Sequence, residues 1–159
     1  MAVIGWPVAS GAAYAAFPVA ISRHGPRLGW RDGQPGRANL LGLGPLGLGA
    51  ALVAWTLVMH YTAVPSQAWA VRRRLAPEYL LTHGPYRVTR NPMYVGALAI
   101  WSGWTILLGS PPVAGTLVLL VGVMRRGVEF EERSLARHHG EEWRAYAART
   151  PRWLRQTRK

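Results

Sequence analysis

The sequence predicts an all-α integral membrane protein: a single domain, residues 1–159, built as a bundle of about four transmembrane helices. The first observation is that apolar residues form long uncharged blocks, although the mean hydropathy of the whole chain is only +0.04. The second is that the charges are gathered between these blocks, where Lys and Arg total 19 against 7 Asp and Glu. This arrangement is typical of membrane helices joined by basic interfacial loops.

The first two apolar blocks are each long enough to cross a bilayer. The block 2–21 reaches about 30 Å as a helix, the thickness of the hydrocarbon core. A connecting loop, 22–39, leads to the second span, 40–64. This span contains a formal match to the dinucleotide fingerprint GxGxxG, but no strand precedes it and no acidic residue follows at the right distance. We expect its glycines to pack closely against another helix instead; they are Gly42, Gly44, Gly47 and Gly49.

The third and fourth spans, 93–109 and 112–126, are separated by a turn too short to hold a domain. They are therefore predicted to be antiparallel, which puts the segments 65–92 and 127–159 on the same side of the membrane. Both segments are rich in Arg, and this predicts that their side is the cytoplasm. The tendency of basic loops to lie in the cytoplasm disagrees with the position of the basic loop 22–39, which would lie on the opposite side of the membrane if all four spans cross.

Two further features concern helix ends and a histidine within a predicted span. His60 is the ionisable residue of the second span, and it either faces a cavity or partner or is a neutral ring hydrogen-bonded to a neighbouring helix. Gly140 is expected to end a helix, with a short helix following it. The C-terminal tail is predicted to face anionic membrane lipids; its basic residues are Arg152, Arg155, Arg158 and Lys159.

A polar segment lies between the second and third spans, LLTHGPYRVTRNPMYVG at 80–96. Gly84-Pro85 predicts a turn and Asn91-Pro92 the start of a helix. The helical hairpin should bring this loop beside Glu131 and Glu132. Guanidinium groups of the loop can bind a carboxylate or phosphate, and a glutamate can accept hydrogen bonds from hydroxyls or an ammonium. The plainer alternative is that Arg and Glu pair only with each other across the end of the bundle.

Several functions are disfavoured by the same sequence. The chain has no cysteine, which excludes disulfides, thiolate metal sites and a cysteine nucleophile. Its arginines flank apolar runs rather than form a basic module, so anionic lipids are the expected partners and nucleic acid is not. No metal site is predicted, because the adjacent His138 and His139 lie about 100° apart on a helix and no cluster of acidic ligands accompanies them.

Two segments resemble the signatures of a known family, the isoprenylcysteine carboxyl methyltransferase and phospholipid methyltransferase superfamily of small membrane enzymes. HGPYRVTRNPMYVG is similar to the first signature, and EERSLARHHGEEWRAYAARTPRW to the second. They occur in the family's order on either side of the predicted helical hairpin. Two departures are visible: Asn91 stands where the family often has His, and His139-Gly140 with Trp143 replaces Phe-Gly with Tyr.

The resemblance implies that S-adenosyl-L-methionine binds at the cytoplasmic end of the bundle, in a site formed by the 80–96 loop and the C-terminal helices. It implies that a lipophilic methyl acceptor enters from the bilayer. The expected catalytic residues are Arg90, Asn91 and Glu131. The residues carried over as cofactor-binding are His83, Gly84, Tyr86, Arg90, Pro92, Tyr94, Gly96, Glu131 and Glu132.

The predicted function is therefore methyl transfer to a prenyl-linked carboxylate or to a phospholipid head-group amine. The two acceptors differ chemically, because a carboxylate needs no base whereas a protonated amine must first lose a proton, for which His83 or a glutamate is available. Two alternatives remain at this point: a membrane reductase that uses a nicotinamide cofactor, and a non-catalytic membrane protein.

Overall fold

The computed structural model of the chain describes residues 12–63 and 80–154, most of which are helical. A π-helical turn, Ala12–Ala16, leads into helix α1, Phe17–Ser22. A single 3₁₀ turn, Gly84–Arg87, precedes helix α4. The remaining elements, in chain order, are strand β1, Trp30–Arg31; strand β2, Gln34–Pro35; helix α2, Arg37–Leu40; helix α3, Leu43–Ala63; helix α4, Pro92–Leu108; and helix α5, Pro111–Arg149.

The long helices follow the predicted spans closely. Helix α3 lies within the second span, and the stretch Arg37–His60 is, among the residues described, the one long and apolar enough to cross a membrane. Helix α4 is a shorter apolar helix that coincides with the third span. Most of the predicted first span, 2–21, lies outside the described residues.

Helix α5 extends far beyond the predicted fourth span. It continues through Arg125-Arg126 without a break, and its backbone leaves the helical region only at Gly140, where φ is 51° and ψ is −114°. Glycine adopts this positive φ without the steric cost that a Cβ would bring. The predicted helix end at Gly140 is thus confirmed, and the chain resumes a helical path up to Arg149.

The chain divides into two compact units, to both of which α3, α4 and α5 contribute. In the unit formed by 1–50 and 96–122, α3 and α4 approach each other at glycines. A Cβ on Gly42 would collide with the carbonyl oxygen of Gly103, and one on Gly49 would meet the carbonyl oxygen of Gly96. The predicted packing role is confirmed for Gly42 and Gly49. It is wrong for Gly44 and Gly47, next to which the described structure leaves open space.

The same unit contains the strongest departure from an all-α fold. The predicted loop 22–39 includes an antiparallel hairpin in which Trp30 pairs with Pro35 and Arg31 with Gln34. The turn residues Asp32 and Gly33 have φ of 48° and 74°. Two consecutive positive φ values are the requirement of a tight two-residue hairpin turn, and Asp-Gly is a favoured sequence for it.

This hairpin region packs on the C-terminal end of α4. The last carbonyl groups of a helix lack hydrogen-bond donors within the helix. Here side chains from β1 and α2 donate to them. The indole Nε1 of Trp30 donates to the carbonyl of Leu107 at 3.0 Å. The amide of Asn39 donates to the carbonyl of Ile106 at 2.9 Å.

The outward faces of the long helices are apolar. On α3, Leu48 is 75% exposed, and on α5, Val118 and Leu119 are each 71% exposed. Singly exposed apolar side chains are ordinary, but a continuous apolar helix surface usually marks a contact with lipid or with another protein. These faces agree with the predicted placement of the helices in a membrane.

Candidate active site

The second compact unit, formed by 51–95 and 123–159, contains nearly all of the predicted site residues. Its buried side chains come from the end of α3, from the segment before α4 and from both parts of α5. They include Met59, Thr89, Asn91, Val128, Glu132, Trp143 and Tyr146.

The turn Gly84–Arg87 is fixed against the last turns of α3. Gly84 has a φ of 58°, and a Cβ on it would lie 2.5 Å from the sulfur of Met59. Both the backbone conformation and the close approach therefore favour glycine at this position. His83, which precedes the turn, has extended backbone and an exposed side chain.

Tyr86 joins this turn to two helices. Its ring centroid lies 6.0 Å from that of His60 on α3. Its carbonyl oxygen accepts a hydrogen bond of 2.8 Å from the hydroxyl of Tyr146, in the part of α5 after Gly140. Burial raises the pKa of Tyr146 to about 12, so this hydroxyl stays protonated and remains a donor at neutral pH.

The segment before α4 is joined to the residues that follow α5. The backbone amide of Arg90 donates to the carbonyl of Pro151 at 2.9 Å. The carbonyl of Arg152 accepts hydrogen bonds from the hydroxyl of Thr89 at 3.0 Å and from the side-chain amide of Asn91 at 3.1 Å. The chain after α5 is therefore part of the site, and the prediction that Arg152 belongs to a lipid-facing tail is wrong.

Glu132 is the buried charge at the centre of this arrangement. Its Oε2 accepts two hydrogen bonds from Arg152, from Nε at 3.0 Å and from Nη2 at 2.7 Å. Its Oε1 accepts one from the side-chain amide of Asn91 at 3.3 Å. A buried carboxylate is tolerated only when it is paired in this way, so Glu132 mainly orders the three segments around it.

Arg90 is less completely paired. Its Nε lies 3.4 Å from Oε1 of Glu132 and, within the described chain, forms no hydrogen bond although it is buried. Its guanidinium lies over the ring of Trp143, 5.5 Å from the ring centroid. Because Arg152 and Asn91 already occupy the carboxylate of Glu132, Arg90 retains donor capacity for an anionic ligand.

Glu131 differs sharply from its neighbour in sequence. Its side chain is exposed, and its Oε2 accepts a hydrogen bond of 3.2 Å from the hydroxyl of Tyr94 on α4. Partial desolvation raises the pKa of Glu131 from its ordinary value, while the Tyr94 hydrogen bond and the electrostatic effect of His60 oppose that shift. Of the two adjacent glutamates, Glu131 is the one with free access to a ligand.

A cleft of about 380 Å³ opens beside Glu132. It combines two acidic and two basic side chains with an aromatic ring, which suits a ligand that carries both charges and a flat apolar group. Its lining residues are Glu129, Glu132, Arg133, Ala136, Trp143 and Arg152.

The predicted site residues thus fall into three groups. Arg90, Asn91 and Glu132 are brought into direct contact, and Tyr94 contacts Glu131. His83, Gly84, Tyr86 and Pro92 shape the turn and the start of α4. Gly96 is different, because it belongs to the other unit together with Gly49. There its carbonyl lies at the close approach of α4 to Gly49.

Sequence reasoning did not assign three residues of this region to the site: His60, Trp143 and Arg152. The sequence offered a local signal for Arg152, because Thr150-Pro151 ends the helix and allows the chain to turn back. The pairing of Arg152 with Glu132 had no local signal, since it joins residues twenty positions apart in different segments.

Fold and site together define a helical protein with a membrane-length apolar helix and a polar site built of arginine, asparagine and glutamate side chains. Comparison with protein families makes this assignment specific: the model of the phospholipid methyltransferase family matches residues 41–142. The match spans more than half of the chain, and the chain belongs to this family. It includes Arg90, Asn91, Glu131 and Glu132, and it ends before Trp143 and Arg152. A search of curated proteins and a search of solved structures each found no match.

Proposed function

We propose that this chain transfers a methyl group from S-adenosyl-L-methionine to a lipophilic acceptor at the cytoplasmic face of a membrane. The observation that carries the proposal is the contact between the Arg90-Asn91 segment and Glu132, with Glu131 beside it, in a member of the phospholipid methyltransferase family. The two segments that resemble the family's signatures come together in this contact.

The side chains present fit the chemistry of the proposed cofactor. S-adenosyl-L-methionine carries a carboxylate, an ammonium, ribose hydroxyls and a flat adenine ring. Arg90 has its Nε 3.4 Å from Glu132, and the other donors of its guanidinium suit the carboxylate. Glu131 is an exposed acceptor for an ammonium or a hydroxyl. Trp143 provides an aromatic face beside the cleft.

The cofactor supplies an already activated methyl group, bonded to a positively charged sulfur. The remaining tasks of the protein are to align the acceptor, to exclude water and to keep the attacking atom in its reactive protonation state. Glu132, fixed by Arg152 and Asn91, contributes to alignment by holding the segments of the site together.

The membrane arrangement that we propose has four crossing helices, with the segments 65–92 and 127–159 in the cytoplasm. Support comes from the length and composition of α3 and from the basic residues concentrated in both segments. An acceptor with a lipid tail in the bilayer and a reactive head at the interface suits a site at that depth. Both a head-group amine and a prenyl-linked carboxylate meet this description, and the basic surface suits surrounding anionic lipids.

Calorimetric titration of the purified protein in nanodiscs with S-adenosyl-L-methionine tests the proposal. We expect saturable binding of S-adenosyl-L-methionine and none of NADPH, followed by transfer of labelled methyl to an extractable lipid. Binding of NADPH with no binding of S-adenosyl-L-methionine would favour the membrane reductase instead. Absence of binding for both ligands would favour a structural role for the Arg and Glu residues.

A further inference from the structure

His60 lies at the end of the apolar stretch Arg37–His60 and has an exposed side chain. If α3 crosses the membrane as proposed, the ends of this stretch lie where the hydrocarbon core meets the lipid head groups. At this depth an ionisable side chain can reach the polar head groups, whereas at the centre of the bilayer it could not. The position of His60 is therefore suitable for contact with the head group of a lipid acceptor.

The hydrogen bond of His60 defines which ring nitrogen can accept a proton. Its Nδ1 lies 2.9 Å from the carbonyl oxygen of Thr56, one turn earlier in α3. A carbonyl oxygen can only accept, so Nδ1 carries the hydrogen in the neutral ring. The other nitrogen, Nε2, then has a lone pair and is the basic atom.

Residues from three other elements lie around His60. Tyr86 of the turn before α4 packs against the ring, with an angle of 55° between the two ring planes. Glu131 of α5 interacts electrostatically with His60, and it is positioned by the hydroxyl of Tyr94 from α4. A carboxylate near an imidazole stabilises the imidazolium that forms when the ring takes up a proton.

We propose that His60 is the general base of the methyl transfer, accepting the proton of an ammonium head group through Nε2. This inference rests on the proposed function and concerns the route of one proton within it. Glu131 is a positioning residue in this scheme, since it stabilises the charge on His60 without contacting the reacting nitrogen. His83 is a weaker candidate because, within the described residues, no hydrogen bond orients its ring.

The proton and electron balance of the step is simple. A protonated head group, R–NH₃⁺, has no lone pair, so it first gives one proton to Nε2 of His60 and becomes R–NH₂. The cofactor then supplies the methyl group, with the new N–C bond forming as the S–C bond breaks and its electron pair remains on sulfur. The product is R–NH₂CH₃⁺, and the imidazolium of His60 releases its proton to water.

The chain offers a matched control for the test. Nδ1 of His138 on α5 lies 3.0 Å from the carbonyl of Ser134, one turn earlier, which is the same local arrangement as that of His60 and Thr56. His138 is also exposed, but no contact of its ring with Tyr86 or Glu131 is seen in the structure. His138→Ala therefore removes a histidine with the same bond to its own helix but without these neighbours. An effect seen in His60→Ala alone is due to the surroundings of His60.

The experiment measures methyl transfer in nanodiscs that contain phosphatidylethanolamine as the ammonium acceptor, between pH 6 and pH 10. At pH 7 we expect His60→Ala to lower kcat at least about 100-fold, with the Kd for S-adenosyl-L-methionine changed less than about twofold and His138→Ala fully active. The loss should shrink as pH rises and the amine deprotonates without help. Added imidazole should restore part of the rate at pH 7 in His60→Ala only.

The two proposals fail in different ways. If the native protein does not bind S-adenosyl-L-methionine, the proposed function fails. If it binds the cofactor and methylates the amine, but His60→Ala keeps the native kcat and pH profile, only the role of His60 is overturned. The same conclusion follows if the native protein methylates a prenyl-linked carboxylate and leaves the amine unmodified.

A second measurement does not depend on activity. Nuclear magnetic resonance of protein with ¹⁵N-labelled histidine reports which ring nitrogen carries the hydrogen. We expect the neutral ring of His60, assigned by its loss in His60→Ala, to carry it on Nδ1. A hydrogen on Nε2 would remove the lone pair from the proposed basic atom and overturn the inference.

Discussion

Arg152 donates two hydrogen bonds to a single oxygen of Glu132, at 3.0 Å from Nε and 2.7 Å from Nη2. The carbonyl of Arg152 meanwhile accepts hydrogen bonds from Thr89 and Asn91. Arg152, which follows the end of α5, therefore links the middle of that helix to the segment before α4. The family match ends at residue 142, so Arg152 lies beyond the part of the chain that the family model matches, whereas Thr89, Asn91 and Glu132 lie within it.

Replacement of Arg152 by alanine should destabilise the fold. It removes the main partner of a buried carboxylate, and the loss of a charged hydrogen bond typically costs about 1.5–3 kcal/mol. The free energy of unfolding can be measured by denaturant titration in detergent. Arg149→Ala is the control, because Arg149 is exposed and its Nε bonds only to the carbonyl of Ala145 in its own helix. Equal stability of the two variants would show that the link is unimportant.

The two adjacent glutamates should respond differently to removal of charge. Glu131→Gln should weaken the binding of S-adenosyl-L-methionine by about 1.5–3 kcal/mol, the usual value of a charged hydrogen bond, and should not lower the melting temperature. Glu132→Gln should lower the melting temperature, because two arginines lose their buried partner. Calorimetric titration and thermal melts of both variants check this, with the exposed Glu142→Gln as control. A lowered melting temperature in Glu131→Gln would contradict the assignment of roles.

The raised pKa of Glu131 predicts a pH effect on stability. In the folded protein this carboxyl holds its proton more tightly than in the unfolded chain, where its pKa is near 4.5. Its stabilising contribution is therefore present below about pH 4.5 and is lost as pH rises through the higher folded pKa. Unfolding measured from pH 4 upward should show this decline in the native protein and a smaller one in Glu131→Gln. Parallel curves for the two proteins would mean that burial does not shift this pKa.

Gly84→Ala should distort the turn before α4. A residue with a Cβ pays about 1–2 kcal/mol to adopt a positive φ, and the new methyl group would also displace the sulfur of Met59. We expect a lower free energy of unfolding and weaker cofactor binding. Gly115→Ala in α5 is the control, since nothing lies within 4 Å of the added Cβ and helix interiors favour alanine. If both variants are as stable as the native protein, the conformation of Gly84 is not a constraint.

The proposed topology makes a prediction of its own. Reporter groups placed within 66–78 and after Lys159 should both be accessible from the cytoplasm, and one at 110–112 from the other side only. The reason is that the turn between α4 and α5 is short, while basic residues collect in the segments on either side of this helix pair. Opposite locations for the first two reporters would rule out a site shared by these segments.

The helices could be predicted from the sequence because their determinants are local. Uncharged blocks define α3 and α4, and Gly140 alone explains the break in α5. The hairpin turn is also determined locally, by Asp32-Gly33. It was not predicted because the residues on either side lack the alternating pattern that indicates strands. The roles of Gly44 and Gly47 were mispredicted because composition does not reveal which face of a helix meets its neighbour.

The candidate site was only partly predictable, for a different reason. Arg90, Glu131 and Glu132 were predicted from the resemblance to a known family. That resemblance gave no indication that one glutamate is buried and the other exposed. That difference depends on Arg152 and Asn91, which reach Glu132 from distant parts of the chain. Contacts over such sequence separations leave no periodicity for a sequence reading to detect.

The link made by Pro151 and Arg152 also constrains the order of biosynthesis. Until these two residues have left the ribosome, Thr89, Arg90 and Asn91 lack their partners, and Glu132 lacks the two hydrogen bonds from Arg152. Chains generally begin to fold from the N-terminal side during synthesis, so α3 and α4 can enter the membrane well before the site can close. The contacts that hold the candidate site together can therefore form only after Arg152 has emerged from the ribosome, which is later than the emergence of α3 and α4.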